Sequence, residues 1–485
     1  MTVSRRPNIL LVAIDTLRAD HLGCYGYGRE VSPNLDRLAT EGVLFEEHFA
    51  PHIPTHPGFT TLFTGMDCFT HQRVRLGGDV LPDPAIKTLA QLLVAEGYQT
   101  AAVDNLPEWF RQGFEVFESY RWPWELAPGE QWRRAEVVNE KALPLLAQLA
   151  AGAGAGRPFF LFLHYWDPHT PYLPPEPYHR RFYHGNEKDP SHLGGPHSMR
   201  GPVELGDDDL GGLRAAWSVR PFDFETFNEY FKAWIDQDVT DTRFVAAEYD
   251  ALIAYVDAQL EHLWGRLREL GLDETTLVAI TSDHGEVLDD HPCWFDHHGL
   301  YDANVRVPFI LRQPGRLPAG KRVRGFVRHQ DQAPTILDLA GLAHVAERAR
   351  MDGRSAVPLI YGQRDDGLAS AVYLTENTWM RKRAWRTREW KLIDGMEPDI
   401  HQLPLLELYH LPTDPQEQRN LARERPDVVA ELQAEMLEWI ARRVRETGKP
   451  DPMSYQRFVN RKITGRRRPE AQRYAGGQAA TPTGR

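Results

Sequence analysis

Five strand-like runs rich in apolar residues recur along the chain, each bounded by polar residues. They lie at residues 8–14, 99–103, 158–163, 276–281 and 307–311. Short apolar runs without strict alternation are typical of parallel strands that are buried on both faces. We therefore predict an α/β fold with a central, mostly parallel sheet flanked by helices.

Helical spacing of apolar residues fills several intervals between these runs. The longest such stretch extends from Thr242 to Leu270, where Gly271 stops it. Shorter helices are predicted at residues 33–42, 88–96 and 334–340. We interpret the triplet from His329 to Asp331 as a short strand in front of the last of these helices.

The pattern changes beyond Gly362, where strand-like runs follow one another closely. These runs lie at residues 371–374, 383–387 and 390–393, and helical spacing follows at residues 426–444. We predict a catalytic α/β domain over residues 1–365 and a small C-terminal domain over residues 366–446, in which an antiparallel sheet packs against one helix.

Two segments show no clear period. Residues 185–238 are rich in Gly, Pro, Asp and Trp, which predicts an irregular insertion near the substrate. Residues 447–485 form a basic, polar tail that cannot build a core of its own. We expect this tail to be an extended arm that docks on the main domain or on a second copy in a homo-oligomer.

Composition excludes several classes of protein. The 485 residues carry a formal net charge of -12, which opposes general affinity for nucleic acid. The three cysteines are far apart in the sequence, and no apolar segment is long enough to span a membrane. Because the first apolar run is too short for a signal peptide, we expect a cytoplasmic protein.

Polar side chains follow two of the predicted central strands. Asp15 comes directly after the first run, and Asp283 and His284 follow the run at residues 276–281. The carboxyl ends of parallel strands meet at one edge of a sheet, where ligands of α/β proteins bind. Each side chain has a structural alternative as a turn or helix cap, so these positions alone leave the choice open.

Thr55 precedes a short predicted helix that ends near Gly65, with Pro57 at a first-turn position. The amide groups and dipole of a helix start favour an alkoxide or a phosphate oxygen, although Thr is also a common helix cap. Together with Asp15, Asp283 and His284, its hydroxyl forms a donor set that suits one Mn²⁺ or Zn²⁺ better than Ca²⁺. The ion would make Thr55 a nucleophile.

The chain resembles the sulfatases of the alkaline phosphatase superfamily over nearly its whole length. The resemblance rests on ordered matches at residues 7–12 with Asp15, 25–26, 32–39, 55–65, 168–169, 281–286, 305–308, 333–338 and 407–421. It implies a metal-dependent hydrolase of ester bonds, with a small-molecule ester as substrate and the C-terminal domain of that family.

Three departures from the family pattern concern the reaction itself. Thr55 stands where sulfatases carry the cysteine or serine that becomes formylglycine, and its β-methyl group prevents that conversion. Phe59 stands where the family has an arginine, and the segment Asp104-Asn105-Leu106 lacks the Lys and His of the family's Gly-Lys-x-His. His284, in place of asparagine, resembles the phosphodiesterases and phosphonate monoester hydrolases.

The resemblance with these departures implies hydrolysis of a phosphodiester or phosphonate monoester through a covalent phospho-threonine. A sulfatase that works without formylglycine is the first alternative. A non-catalytic binder that keeps the fold is the second, although the intact set of Asp15, Asp283 and His284 opposes it.

Further roles follow from the resemblance alone. His169 would bind substrate or protonate the leaving group, and His298 would clamp an anion or act as a general acid. Substrate-binding roles are expected for Arg75, Asn105 and Tyr172. The resemblance also allows a second metal ion. Its ligands would be His329 with Asp331, or Asp167 with His169 and His298.

Overall fold

The protein is described by a computed structural model that covers residues 6–77, 83–106, 110–120, 134–192, 239–293, 295–378, 380–399, 401 and 403–456. The strands are β1 (Asn8–Ile14), β2 (Val43–Phe45), β3 (His48–Phe49), β4 (His52–Ile53), β5 (Gln99–Val103), β6 (Val116–Glu118), β7 (Phe159–Tyr165), β8 (Thr276–Thr281), β9 (Phe309–Arg312), β10 (Lys321–Val323), β11 (Val327–Arg328), β12 (Val372–Glu376), β13 (Lys382–Arg386), β14 (Trp390–Gly395) and β15 (Leu406–His410).

The helices are α1 (Pro33–Thr40), α2 (Thr55–Thr64), α3 (Cys68–His71), α4 (Leu89–Ala95), α5 (Ala135–Gly154), α6 (Thr242–Glu269), α7 (Asp302–Val305), α8 (His329–Leu339), α9 (Ala343–Ala349), α10 (Val357–Ile360), α11 (Pro426–Thr447) and α12 (Pro452–Tyr455).

The central sheet has eight strands in the order β10-β2-β9-β8-β1-β7-β5-β6. Strand β9 runs antiparallel to its two neighbours, and the other neighbouring pairs are parallel. Successive residues of β1 enter opposite layers: Leu10 and Val12 pack with α5 and α6, whereas Ile9 and Leu11 pack with α2 and α8. This burial on both faces explains the apolar runs and confirms the predicted fold class.

A second sheet of five strands has the order β15-β14-β13-β12-β4. Strands β12 to β15 pair antiparallel, as predicted, and α11 packs on them through Leu432 and Met436. Strand β4 was not predicted. It pairs parallel with β12, and the ring of His52 donates from Nδ1 to Thr375 Oγ1 at 2.9 Å. The C-terminal sheet therefore includes a strand from the N-terminal part of the chain.

The predicted strand from His329 to Asp331 is wrong, because these residues open helix α8. The carboxylate of Asp331 accepts the backbone N–H of Arg328 at 2.9 Å and so caps the helix start. Pro334 consequently lies inside the helix instead of beginning it. The preceding strand, β11, covers only Val327 and Arg328.

The two segments without sequence periodicity are only partly described. Residues 193–238 of the predicted insertion and residues 457–485 of the tail lie outside the described residues. The first part of the tail is not an extended arm, because α12 docks on the same chain with Met453 buried. Within the described parts of the chain, no helix is long and apolar enough to cross a membrane.

Candidate active site

Thr55 is the first residue of α2, so the helix begins two residues before Pro57, and Gly65 ends it in a left-handed conformation. The helix approaches the end of β8 closely. A Cβ atom at Gly58 would lie 2.7 Å from the carbonyl oxygen of Asp283, a distance that only glycine avoids. This close approach brings the Thr55 hydroxyl to the residues that follow β8.

The four predicted metal ligands converge at the carboxyl ends of β1 and β8. Nε2 of His284 lies 3.2 Å from Thr55 Oγ1, 3.3 Å from Asp283 Oδ2 and 3.9 Å from Asp15 Oδ1. Asp15, Asp283 and His284 are buried, and one ligand atom of each lies within 4.8 Å of the others. The structure thus brings together the side chains that the strand ends predicted.

The hydrogen bond of His284 fixes which ring nitrogen faces this cluster. Its Nδ1 lies 2.8 Å from the carbonyl oxygen of Gly285 and can only donate to it. In the neutral ring, Nε2 therefore carries the lone pair and faces the two carboxylates and the hydroxyl. A ring held in this way is typical of a histidine that ligates a metal.

The surroundings of the Asp15 and Asp283 carboxylates suit a bound cation. Asp15 Oδ1 and both oxygens of Asp283 are buried, and the described residues provide no hydrogen-bond partner for them. Buried charges without compensation are costly, and a divalent cation would supply that compensation. The residues present therefore fit a divalent metal, which Asp15, Thr55, Asp283 and His284 would hold, while its identity stays a prediction.

A buried histidine that the sequence did not single out contacts this site. His164, in β7, lies with Nδ1 2.8 Å from Asp104 Oδ1 and with Nε2 3.2 Å from Asp15 Oδ2. Burial alone would lower the pKa of His164, but the carboxylates of Asp104 and Asp15 outweigh it and raise the pKa to about 10. This contact could have been inferred from the parallel pairing of β5 with β7. The pairing sets Val103 opposite Leu163, the residues directly before Asp104 and His164.

Phe59, at the position of the family's arginine, packs among aromatic rings. Its centroid lies 4.9 Å from that of His164, 5.4 Å from Phe110 and 5.8 Å from Phe162. The place that would hold a cationic side chain is thus apolar, as the sequence indicated.

His169 and a second group of donors lie beside the four ligands. The ring of His297 lies 4.8 Å from that of His284 and 5.1 Å from that of His169. Glu286, Asp296 and His297 are also buried, with one ligand atom of each within 4.8 Å of the others. This group differs from both sets that were considered for a second ion.

The side chains of those two sets make contacts of their own. Asp167 accepts the backbone N–H of Ala135 at 3.0 Å, and burial raises its pKa to about 7. His329 donates from Nε2 to the carbonyl oxygen of Ser282 at 2.9 Å, and Asp331 pairs with Arg328. Their metal roles stay predictions.

His298 is buried and contacts a residue of the C-terminal domain. Its Nδ1 lies 3.0 Å from Nε2 of His401, and its Nε2 lies 3.5 Å from Asp296 Oδ1. His401 was missed because it lies 103 positions away in a loop after β14, where no local pattern marks it. The C-terminal domain therefore contributes a side chain next to the candidate general acid.

The three predicted substrate-binding residues occupy different surroundings. Arg75 is half-buried and donates to the carbonyl oxygen of Leu76, Asn105 is buried, and Tyr172 packs edge-to-face on Tyr249. Their roles, like those of His169 and His298, stay predictions.

Comparison with known proteins identifies the family. The family model described as Sulfatase matches residues 7–342, and a model of the N-sulphoglucosamine sulphohydrolase C-terminal region matches residues 290–444. The chain belongs to the Sulfatase family. It is therefore a hydrolase of the alkaline phosphatase superfamily, in which substrates are sulfate or phosphate esters.

Relatives of this chain include a sulfatase and another protein of the alkaline phosphatase superfamily. The chain is 25% identical over 484 residues to the N-acetylglucosamine-6-O-sulfatase of Bacteroides thetaiotaomicron, with 86% of this chain and 83% of that protein covered. It is 27% identical over 421 residues to the multifunctional alkaline phosphatase superfamily protein PehA of Trinickia caryophylli, with 73% and 77% covered. In structure it resembles the phosphonate monoester hydrolase of Agrobacterium radiobacter, with a TM-score of 0.64, 24% identity, and 90% and 96% covered.

Proposed function

We propose that this member of the Sulfatase family hydrolyses a phosphodiester or a phosphonate monoester with Thr55 as the covalent nucleophile. The observation that carries the proposal is the position of Thr55 Oγ1, at a helix start and 3.2 Å from Nε2 of His284. A threonine there cannot become formylglycine, yet its hydroxyl lies among the metal-ligating side chains. Direct attack on phosphorus requires only that hydroxyl.

Each residue then has a defined task in two successive displacements. A bound divalent cation would lower the pKa of the hydroxyl and neutralise charge on the ester. The Thr55 hydroxyl loses its proton to solvent, its oxygen bonds to phosphorus, and the bond to the leaving alcohol breaks while His169 or His298 protonates that alcohol. Water then attacks phosphorus of the phospho-threonine and gives a proton to the same histidine, while the bond between phosphorus and the Thr55 oxygen breaks. That oxygen takes a proton from solvent, which restores the hydroxyl and releases the product.

The similarity to PehA supports this proposal, because that relative belongs by name to the alkaline phosphatase superfamily rather than to one class of sulfatase. The likeness to the phosphonate monoester hydrolase supports the fold only, since the identity is 24%. Several other relatives are sulfatases, including the arylsulfatase of Clostridium perfringens at 25% identity. A formylglycine-independent sulfatase is therefore the second candidate.

Steady-state rates distinguish the two candidates. We would measure kcat/KM on bis-aryl and alkyl-aryl phosphodiesters, aryl phosphonate monoesters and aryl sulfates with one leaving group throughout. We expect a phosphorus ester to be cleaved fastest, and mass spectrometry of acid-quenched enzyme to find a phosphoryl group on Thr55. The variant Thr55→Ala is the matched control for the adduct. Sulfate turnover that exceeds the others by orders of magnitude would overturn the proposal.

We also propose one Mn²⁺ or Zn²⁺ per chain at Asp15, Thr55, Asp283 and His284. The burial and geometry of these donors support the assignment. Elemental analysis of the purified protein checks it, and one ion per chain is expected. Two ions per chain would contradict it and would favour a further ion at Glu286, Asp296 and His297.

A further inference from the structure

Three neighbouring strands place a continuous row of buried polar side chains behind the candidate metal site. Strand β7 lies between β1 and β5, and its residue His164 is opposite Ala13 in the register. Asp15 follows β1 and Asp104 follows β5, so one carboxylate lies on each side of the imidazole. Asp15, His164 and Asp104 are all fully buried.

The two oxygens of Asp15 have different surroundings. Oδ2 lies 3.2 Å from Nε2 of His164, which donates to it. Oδ1 lies 3.9 Å from Nε2 of His284, and no described residue forms a hydrogen bond with it. One oxygen is therefore held by the row, while the other faces Thr55, Asp283 and His284.

His164 is in turn held in place from the opposite side. Its Nδ1 donates to Asp104 Oδ1 at 2.8 Å, and its ring packs edge-to-face on Phe59 at 4.9 Å. A ring fixed by a hydrogen bond at one nitrogen and by an aromatic contact can set the direction of the N–H at its other nitrogen. The same arrangement of outer hydrogen bonds orients ligands in known metal sites.

We propose that His164 and Asp104 are positioning residues that rotate Asp15 so that it binds the cation through Oδ1 alone. The inference rests on the metal site of the proposed function, but it does not depend on which ester is cleaved. Neither residue belongs to the four ligands, and no family motif quoted above contains His164.

Two substitutions of His164, each of which keeps an amide near one ring nitrogen, distinguish a positioning role from a packing role. His164→Gln places an amide near the position of Nε2 and keeps a donor for Asp15, whereas His164→Asn places its amide near Nδ1 and reaches only Asp104. Both variants remove the ring and its contact with Phe59. A role limited to packing would lower the thermal stability of both variants, more for the smaller Asn, and would leave their Mn²⁺ affinities alike.

The test is Mn²⁺ affinity, measured by competition with a fluorescent chelator on the full chain. We expect His164→Asn to weaken binding by about 10- to 100-fold, the usual loss when an outer hydrogen bond to a ligand is removed. His164→Gln should recover most of that loss, and Asp104→Asn should fall between them. Thermal unfolding of the metal-free proteins shows whether each variant is folded.

Each result has a distinct meaning. Wild-type affinity in His164→Asn, or equal losses in the Asn and Gln variants, overturns the inference and leaves the proposed function intact. A wild-type protein that binds neither Mn²⁺ nor Zn²⁺ overturns both. If the variants do not fold, a crystal structure of the wild-type protein with Mn²⁺ decides. An anomalous peak within bonding distance of Asp15 Oδ2 contradicts the inference, and a peak within bonding distance of Oδ1 alone supports it.

Discussion

At the scale of single residues, the proposed chemistry depends on the hydroxyl of Thr55 and on what surrounds it. The hydroxyl lies at the start of a ten-residue helix, 3.2 Å from Nε2 of His284, which in turn lies 3.3 Å from Asp283 Oδ2. The helix start favours negative charge on that oxygen, and two buried carboxylates require a cation beside it. Nucleophile and metal are therefore expected to act as one unit.

Thr55→Ala removes the attacking oxygen and one metal ligand together. We expect kcat/KM to fall by about 10⁴-fold or more, because the remaining groups only position and polarise the ester. Thr55→Ser keeps the hydroxyl and should retain part of the activity. Both variants should unfold at nearly the wild-type temperature, and an alanine variant with activity within about tenfold of wild type would show that Thr55 is not the nucleophile.

The sequence predicted which side chains converge at the site better than it predicted the residues that support them. Asp15, Asp283 and His284 follow apolar runs, so their position at a strand end could be inferred locally. His164 also comes directly after such a run, at residues 158–163, but its contact with Asp15 became visible only once β7 was known to lie between β1 and β5. His401 depends on a contact between distant parts of the chain that no local pattern encodes.

At the scale of secondary-structure elements, one carboxylate links two helices. The N-cap residue of α1, Ser32, makes no side-chain cap. Instead Asp257 of α6 accepts the backbone N–H groups of Asn34 and Leu35, at 3.0 and 2.8 Å. The first turn of α1 is thus capped by another helix, which fixes the two helices relative to each other.

This cap makes stability depend on pH. Burial raises the pKa of Asp257 from 3.8 to about 6, although its hydrogen bonds act in the opposite direction. The folded protein therefore binds that proton more tightly, and this contribution to stability is present below about pH 4 and lost as the pH rises through about 6. We expect the free energy of unfolding of wild type to fall by about 3 kcal/mol more than that of Asp257→Asn between pH 4 and 7.

Urea denaturation of wild type and Asp257→Asn at several pH values tests this pH dependence. The unfolding free energy of wild type relative to Asp257→Asn should be highest at low pH, where both side chains are neutral, and should fall toward neutrality as Asp257 ionises. Parallel pH profiles for wild type and Asp257→Asn would show that Asp257 titrates as it does in the unfolded chain.

The elements themselves were predictable where their patterns were long. The runs that became β1, β7 and β8 are buried on both faces and therefore stand out in the sequence. Strand β4 has only two residues, which is too short for any period to show. The sequence places the start of α8 at Pro334, but the helix begins at His329, because the carboxylate of Asp331 caps it earlier.

At the scale of the whole molecule, residues 449–456 fasten the C-terminal domain to the segment after α2. Lys449 Nζ donates to the carbonyl oxygen of Thr70 at 2.7 Å, and the hydroxyl of Tyr455 donates to Gln72 Oε1 at 2.6 Å. Met453 is fully buried between these two contacts. This segment therefore contributes to the core rather than to the surface.

Truncation at two points tests this contribution. Ending the chain after Gly448 should lower the free energy of unfolding by at least the cost of Met453→Ala, about 2–5 kcal/mol. Ending it after Gln456 should leave stability unchanged and serves as the matched control. The mass in solution of the form that ends after Gln456 also tests the predicted assembly through the tail. An oligomeric state equal to that of the full chain would show that residues 457–485 do not have that role.

The parallel pairing of β4 with β12 has a consequence for how the protein is made. His52 precedes the nucleophile by three positions, yet its partner Thr375 lies 323 residues further along the chain. A growing chain on the ribosome thus carries all four proposed ligands long before β12, the strand that pairs with β4, has been synthesised. A fragment that ends at residue 365 should therefore be inactive and bind metal weakly, which rate and affinity measurements on that fragment would check. Synthesis of the enzyme and activation of its centre would then be completed together, near the end of translation.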